Sequence, residues 1–149
     1  MDKKIKVPRF ERRFGYKTTK ERSALMSRIK SKGTLPEVLF RKELWKYGVR
    51  YRINVAKLPG CPDVVIKKKM TVVFIDGEFW HGYDWEKKKK KIKANRGFWL
   101  PKIERNIQRD LENNLRLKKL GYKVFRFWEH ELKKNRPKCL NKVVRWCAK

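Results

Sequence analysis

The chain has 149 residues, 40% of them hydrophobic, and sets 43 Lys and Arg against 15 Asp and Glu for a formal net charge of +28. That length suits one compact domain with its own core, and the hydrophobic share excludes a disordered basic tail. A folded body with this charge repels itself and calls for a polyanionic partner, nucleic acid first.

Residues 1–20 are basic and aperiodic (Lys3, Lys4, Lys6, Arg9, Arg12, Arg13) and read as a mobile arm, with residues 21–149 as a single domain. Leu25, Met26 and Ile29 recur at helical spacing in a short polar segment. Thr34-Leu35-Pro36-Glu37 is a capping box with proline in the first turn. It opens a helix over 34–47 that buries Leu35, Val38, Leu39 and Trp45 and stops at Gly48. Residues 49–53 alternate apolar and basic, as a strand with one wet face does. After Leu58-Pro59-Gly60, the runs 64–66 and 72–75 are rich in Val and Ile and read as buried strands. Lys67-Lys68-Lys69-Met70 is short enough to join them as a hairpin. With residues 69 and 70 as the loop, Asp63 pairs with Asp76, and directly opposed residues share a face. Glu78 follows on that face and His81 comes close behind.

Residues 82–97 form a charged connection whose lysine run, 87–91, reads equally as a solvated loop or a phosphate-tracking element. Phe98 and Trp99 open a long helix in which Ile103, Ile107, Leu111 and Leu115 recur every four residues as the buried stripe. Gly121 ends it. Residues 122–128 form another strand, and Pro137 introduces a last helix with Leu140, Val143, Val144 and Cys147 on one face. This order predicts an α/β fold of three layers, a mixed central sheet flanked by helices.

Cys61, Cys139 and Cys147 lack CxxC spacing, which argues against a disulfide framework or a zinc knuckle and suits a reducing cytoplasm. No apolar stretch has the length of a membrane span, and the N-terminus lacks a signal-peptide core. Two facing carboxylates repel unless they share a metal. With His81, whose ordinary pKa suits proton abstraction near neutrality, they are what a magnesium-dependent phosphodiesterase requires. Glu37 is first of all a capping glutamate. Lys102 and Asn106 lie one helical turn apart, on a face away from Ile103 and Ile107, and suit phosphate contacts or plain solvation. Phe79, Trp80, Phe98 and Trp99 read equally as core or as a stacking wedge. His130 reads as structural.

Several segments in order carry a family resemblance. They are Ser23-Ala24-Leu25-Met26-Ser27-Arg28-Ile29, Lys32-Gly33-Thr34-Leu35-Pro36-Glu37, Leu58-Pro59-Gly60-Cys61-Pro62-Asp63, the stretch 74–81, Phe98-Trp99-Leu100-Pro101-Lys102-Ile103, the stretch 106–110, Leu120-Gly121-Tyr122-Lys123-Val124 and Trp128-Glu129. Over residues 19–132 the chain resembles the very-short-patch-repair (Vsr) DNA mismatch endonucleases, a branch of the PD-(D/E)xK nuclease superfamily. The resemblance implies a restriction-endonuclease-like fold and a Mg²⁺-dependent nick in duplex DNA beside a T·G mismatch. It implies a monomer of bacterial or mobile-element origin, cytoplasmic and nucleoid-associated, with mismatch-repair proteins as recruiting partners. Asp63 and Asp76 become metal ligands with the Ile75 carbonyl, His81 the general base and Glu37 a supporting carboxylate. Phe79, Trp80 and Trp99 become the wedge, with Met26, Lys102 and Asn106 as further DNA contacts. The family's structural zinc is not expected, because its positions hold Glu78, Tyr83, Trp85 and His130. Two rivals stay open: a homing or mobile-element endonuclease with no mismatch requirement, and a DNA-binding module without catalysis.

Overall fold

The computed structural model describes residues 3–149. Four strands form one sheet in the order β1 (Arg52–Ile53), β2 (Val64–Ile66), β3 (Thr71–Asp76), β4 (Lys123–Trp128). β1, β2 and β3 are antiparallel and β4 runs parallel to β3, so the sheet is mixed as expected. The helices are α1 (Lys20–Ser27), α2 (Leu35–Lys46), α3 (Trp85–Lys88), α4 (Arg96–Lys119) and α5 (Glu129–Ala148). Alternation along the strands builds two faces. Val64, Ile66, Val73 and Phe127 form one core with Phe40 and Leu44 of α2 and Leu132, Leu140 and Val143 of α5. On the opposite face Val65, Val72 and Phe74 pack against Leu117 of α4. Each large apolar side chain withdrawn from water contributes about 1.5–3 kcal/mol.

Several expectations are corrected. The hairpin turns through a 3₁₀ segment, Lys67–Lys69, and through Met70 at φ 44°. Val64 therefore faces Val73 and Ile66 faces Thr71, a register two residues away from the one that opposes Asp63 to Asp76. A shift of two keeps every side chain on its face, so both aspartates still point to the α4 side. In α2 the buried residues are Pro36, Glu37, Phe40 and Leu44, while Leu35 is 69% and Trp45 52% exposed. The stripe in α4 also differs, because a repeat of four drifts around a helix of 3.6 residues per turn. Leu111 and Leu115 are each 61% exposed; the buried positions are Ile103, Asn106, Asn113 and Leu117, at alternating spacings of three and four around Asp110. α5 starts eight residues before Pro137 and breaks at Asn135 (φ −152°, ψ 69°), whose side chain caps the second part through the Lys138 amide.

The N-terminal segment expected to be mobile lies against α4. The Ile5 amide donates to Gln108 Oε1 (3.0 Å), and Gln108 Nε2 donates to the Lys3 carbonyl (3.0 Å). Lys17 and Asn95 exchange two further hydrogen bonds. Phe10 and Tyr16 pack on Phe98.

Candidate active site

The site lies at the end of the sheet where β3 finishes, and two glycines bring its parts together. Gly60 has φ +76°, and a Cβ there would stand 2.9 Å from Asn113 Nδ2 and 3.2 Å from the Phe74 ring. Only glycine lets this loop turn under α4 and deliver Asp63. Gly82 has φ +72°, and a Cβ would lie 2.4 Å from Ile107 Cδ1. The chain after β3 is thus pressed onto α4, which sets His81 beside Asp110.

Asp63 accepts a hydrogen bond from the Ile75 amide at 2.7 Å. Burial pushes its pKa up to about 7, the Ile75 amide opposes that, and the charges of Glu37 and Asp76 add to it while His81 counters. A carboxylate in this state is relieved by a bound cation. Glu37 reaches the same place from the first turn of α2. The expected capping box forms around Thr34 and Glu37, and in it Glu37 Oε2 accepts from the Thr34 amide (3.4 Å). Glu37 Oε1 takes Arg41 (3.2 Å).

His81 Nδ1 is 2.6 Å from Asp110 Oδ2 and 3.6 Å from Asp76 Oδ1. Two carboxylate oxygens around Nδ1 require that it carry the proton, which leaves Nε2 as the acceptor. Burial alone lowers the pKa of His81; the Asp110 hydrogen bond and the charges of Asp76 and Asp110 outweigh that and raise it. Arg126 Nη1 donates to both Asp76 carboxylate oxygens, at 3.0 and 2.9 Å. Burial raises its pKa against the opposing charges of Arg126 and His81.

Asp110, Asn114 and Arg126 were given no role from sequence. For Asp110 the signal was a polar side chain at buried helical spacing, visible once the α4 stripe is written as Ile103, Asn106, Asp110, Asn113, Leu117; Asn114 lies beside that stripe and carried none. For Arg126 it was a charge in the middle of an apolar strand.

The aromatic residues form one continuous block outside both apolar cores. Phe79, Trp80 and Trp99 meet with ring centroids 5.1–5.8 Å apart. Phe98 extends the block to the N-terminal segment. Phe79 is 41% exposed and the two tryptophans are half-buried. Asn106 does not face outward with Lys102. It is 6% exposed and its Nδ2 donates to the Trp80 carbonyl at 2.9 Å, so it holds the aromatic segment. Lys102 is half-buried on the adjoining face of α4. Met26 of α1 borders a cavity of about 450 Å³ whose other wall is Phe79, Trp80 and His81.

At the positions of the family's zinc the residues present do not fit that metal. Glu78 Oε1 accepts from the His130 amide (2.6 Å) and sits 2.8 Å from His130 Nδ1. The Tyr83 ring packs edge-on against His130, and Trp85 turns away to donate to Glu104. The result is a hydrogen-bonded clasp at the start of α5. Among the described residues, no three Asp, Glu, His or Cys side chains converge as a ready metal cluster. A carboxylate such as Asp63 and a backbone carbonyl such as that of Ile75 are the oxygen donors that a hard divalent cation takes.

Residues 16–87 match the family model of the DNA mismatch endonuclease Vsr. The chain is 50% identical over 126 residues to the type II nicking enzyme V.NmeDIP of Neisseria meningitidis serogroup C, covering 85% of each protein. It is 48% identical over 109 residues to the type II nicking enzyme V.HpaIIP of Haemophilus parainfluenzae, covering 73% of this chain and 77% of that one. It is 36% identical over 113 residues to the DNA mismatch endonuclease Vsr of Escherichia coli strain K12, covering 75% and 71%. Fold and site together define a nuclease of the PD-(D/E)xK kind with the restriction-endonuclease-like three-layer architecture. Within that class the chain belongs to the Vsr family of nicking endonucleases, and it is a catalytic DNA endonuclease. Membership implies dependence on a divalent metal. The reading as a DNA-binding module without catalysis is thereby set aside. No helix among the described residues is long and apolar enough to cross a membrane.

Proposed function

We propose that the protein nicks one strand of duplex DNA at a defined site, with magnesium as its metal, in the manner of the type II nicking enzymes it resembles. The observation that carries this reading is the pair formed by a buried, cation-seeking Asp63 and a His81 whose Nδ1 is fixed by Asp110. Asp63 and the Ile75 carbonyl would hold the metal, and the chemistry it would supply is charge stabilisation at the scissile phosphate and the leaving oxygen. Glu37, buried beside them, orients water at that position. His81 Nε2 takes the proton of the attacking water, and Asp110 keeps the ring oriented and steadies the imidazolium that forms. The basic surface, with Lys102 on the flank of α4, supplies affinity that falls steeply with salt.

Of the two nuclease readings, the names of the relatives with higher identity favour the one without a mismatch requirement, since they specify nicking and say nothing of a mismatch. A second reading, a nick beside a T·G mismatch, draws support from the aromatic block. A partly exposed edge of Phe79, Trp80 and Trp99, facing Met26 across the cavity, suits a wedge that enters a weakly stacked step. Duplexes labelled on each strand, identical except for one matched or T·G pair, separate the readings. Equal nicking of both supports the first, and nicking confined to the mismatched duplex replaces it with the second. Cutting of both strands, or activity undiminished in EDTA, contradicts the proposal as a whole.

A further inference from the structure

Asp63 and Asp76 stand on the same face of the sheet, yet their partners differ. Among the described residues, Asp63 has only the Ile75 amide on Oδ2, and no arginine or lysine pairs with it. Asp76 gives both oxygens to Arg126. Arg126 is itself fixed from several sides. Its Nε donates to Asn114 Oδ1 at 2.8 Å, and its guanidinium lies 4.0 Å from the Phe74 ring centroid. Its Nη2 is buried without a hydrogen-bond partner and faces Asp110 Oδ1 at 3.7 Å. The parallel register explains the placement: Phe74 pairs with Arg126, so the guanidinium rises over that ring and meets Asp76 two residues further along β3. A guanidinium does not lose its proton in a protein, so this positive charge is permanent. A divalent cation on Asp76 would have to sit against it.

We propose that Arg126 keeps Asp76 out of the metal's ligand set. The metal is then held by Asp63 and the Ile75 carbonyl, and Asp76 acts as a positioning residue. Its fixed negative charge anchors Arg126, and Arg126 with Asp110 frames His81. This assignment rests on the metal-dependent reading above and departs from the expectation that Asp76 is a ligand.

Mn²⁺ binding to the DNA-free protein, followed by the loss of the free-ion EPR signal, tests it without recourse to activity. Asp63→Asn should weaken binding at least about tenfold. Asp76→Asn should leave the dissociation constant within about threefold of wild type. Arg126→Gln, which releases the Asp76 carboxylate, should tighten Mn²⁺ binding, and Arg126→Lys should return it toward wild type because the charge is restored. If a single variant at the pair fails to fold, Asp76→Asn combined with Arg126→Gln reads the same quantity with no buried charge left alone, and should bind Mn²⁺ as wild type does. A tenfold loss in Asp76→Asn or in the double variant, with Asp63 intact, overturns the proposal. So does Arg126→Gln binding no tighter than wild type. Failure of the wild type to bind Mn²⁺ is a separate result that removes the metal reading and this proposal together.

Discussion

On one face of the sheet Val64, Ile66, Val73 and Phe127 meet α2 and α5 through apolar side chains. On the other face β3 and β4 carry Asp76 and Arg126, with Asp63 just before β2, and α4 meets Arg126 with Asp110 and Asn114 between the apolar Ile103 and Leu117. The first face repeats a rule that any sandwich follows: alternate positions are apolar, and burial stabilises. The second places charges where area burial alone would put leucine. A buried pair of this kind adds little net stability over apolar packing, while removing one partner is costly. What the second face gains is a set of carboxylates and an imidazole held in fixed relation, which is the requirement of the chemistry.

The comparison breaks most sharply at Phe127 and His81. Phe127→Ala should cost about 3–5 kcal/mol of stability by denaturant unfolding, with unchanged nicking per folded molecule. His81→Ala should cost less stability than Phe127→Ala, because Asp76 and Asp110 keep Arg126 as their counter-charge, and should slow nicking about 10²- to 10⁴-fold. A large stability loss in His81→Ala would place it on the structural side of the divide.

Asp63 sharpens the same contrast through pH. Its folded pKa is raised from 3.8 to about 7, so the folded state prefers the protonated acid. The associated stability is present below about pH 4 and is lost as pH rises toward 7. Metal-free Asp63→Asn should therefore be more stable than wild type at pH 7.5, by up to about 4 kcal/mol, and should lack this loss between pH 4 and 7. Unchanged or lower stability at pH 7.5 would mean that the carboxylate is already compensated. Asp110→Asn removes a charge that raises the pKa of His81 and weakens the hydrogen bond that does the same. The acid limb of its nicking profile should move to lower pH while the maximal rate falls. A rate loss with an unmoved limb would separate Asp110 from His81.

Smaller effects are expected at the aromatic block and the clasp. Trp80→Ala should weaken DNA binding by about 1–3 kcal/mol, as expected for one stacked base. A half-buried ring outside both cores should cost less stability than Phe127. Glu78→Gln should cost about 1 kcal/mol, the scale of a helix-cap loss. Although burial alone would raise the pKa of Glu78, hydrogen bonds from backbone amides and His130 lower it. The stability it gives is present above about pH 4.5 and lost as pH falls, so wild type and variant should converge in acid.

The apolar face was legible in the sequence. Val/Ile runs at strand length and the Thr34 to Glu37 cap gave the strands and α2, because burial writes itself as periodicity. Asp63 and Asp76 were legible as a same-face pair even though the turn at Lys67–Lys69 shifted the register, since a slip of two preserves the face. The polar half of the site was harder to see. Asn106, Asp110 and Asn113 occupy buried helical positions, and a stripe sought among leucines and isoleucines alone drifts to Leu111 and Leu115 on the surface. The Arg126 pairing needs the parallel register of β3 and β4, which unites residues fifty positions apart and leaves no local pattern. The docking of the N-terminal segment rests on side-chain hydrogen bonds to Gln108 and Asn95, which basic composition does not announce.

The central claim, that the charged face is the nicking centre and Asp63 its metal-seeking carboxylate, meets its most direct test on supercoiled plasmid carrying the recognised site. With Mg²⁺, wild type should convert supercoiled DNA to open circles, and EDTA should stop it. Asp63→Asn should bind the same DNA in a gel shift and leave it supercoiled. Open circles formed by folded Asp63→Asn at the wild-type rate would contradict the account.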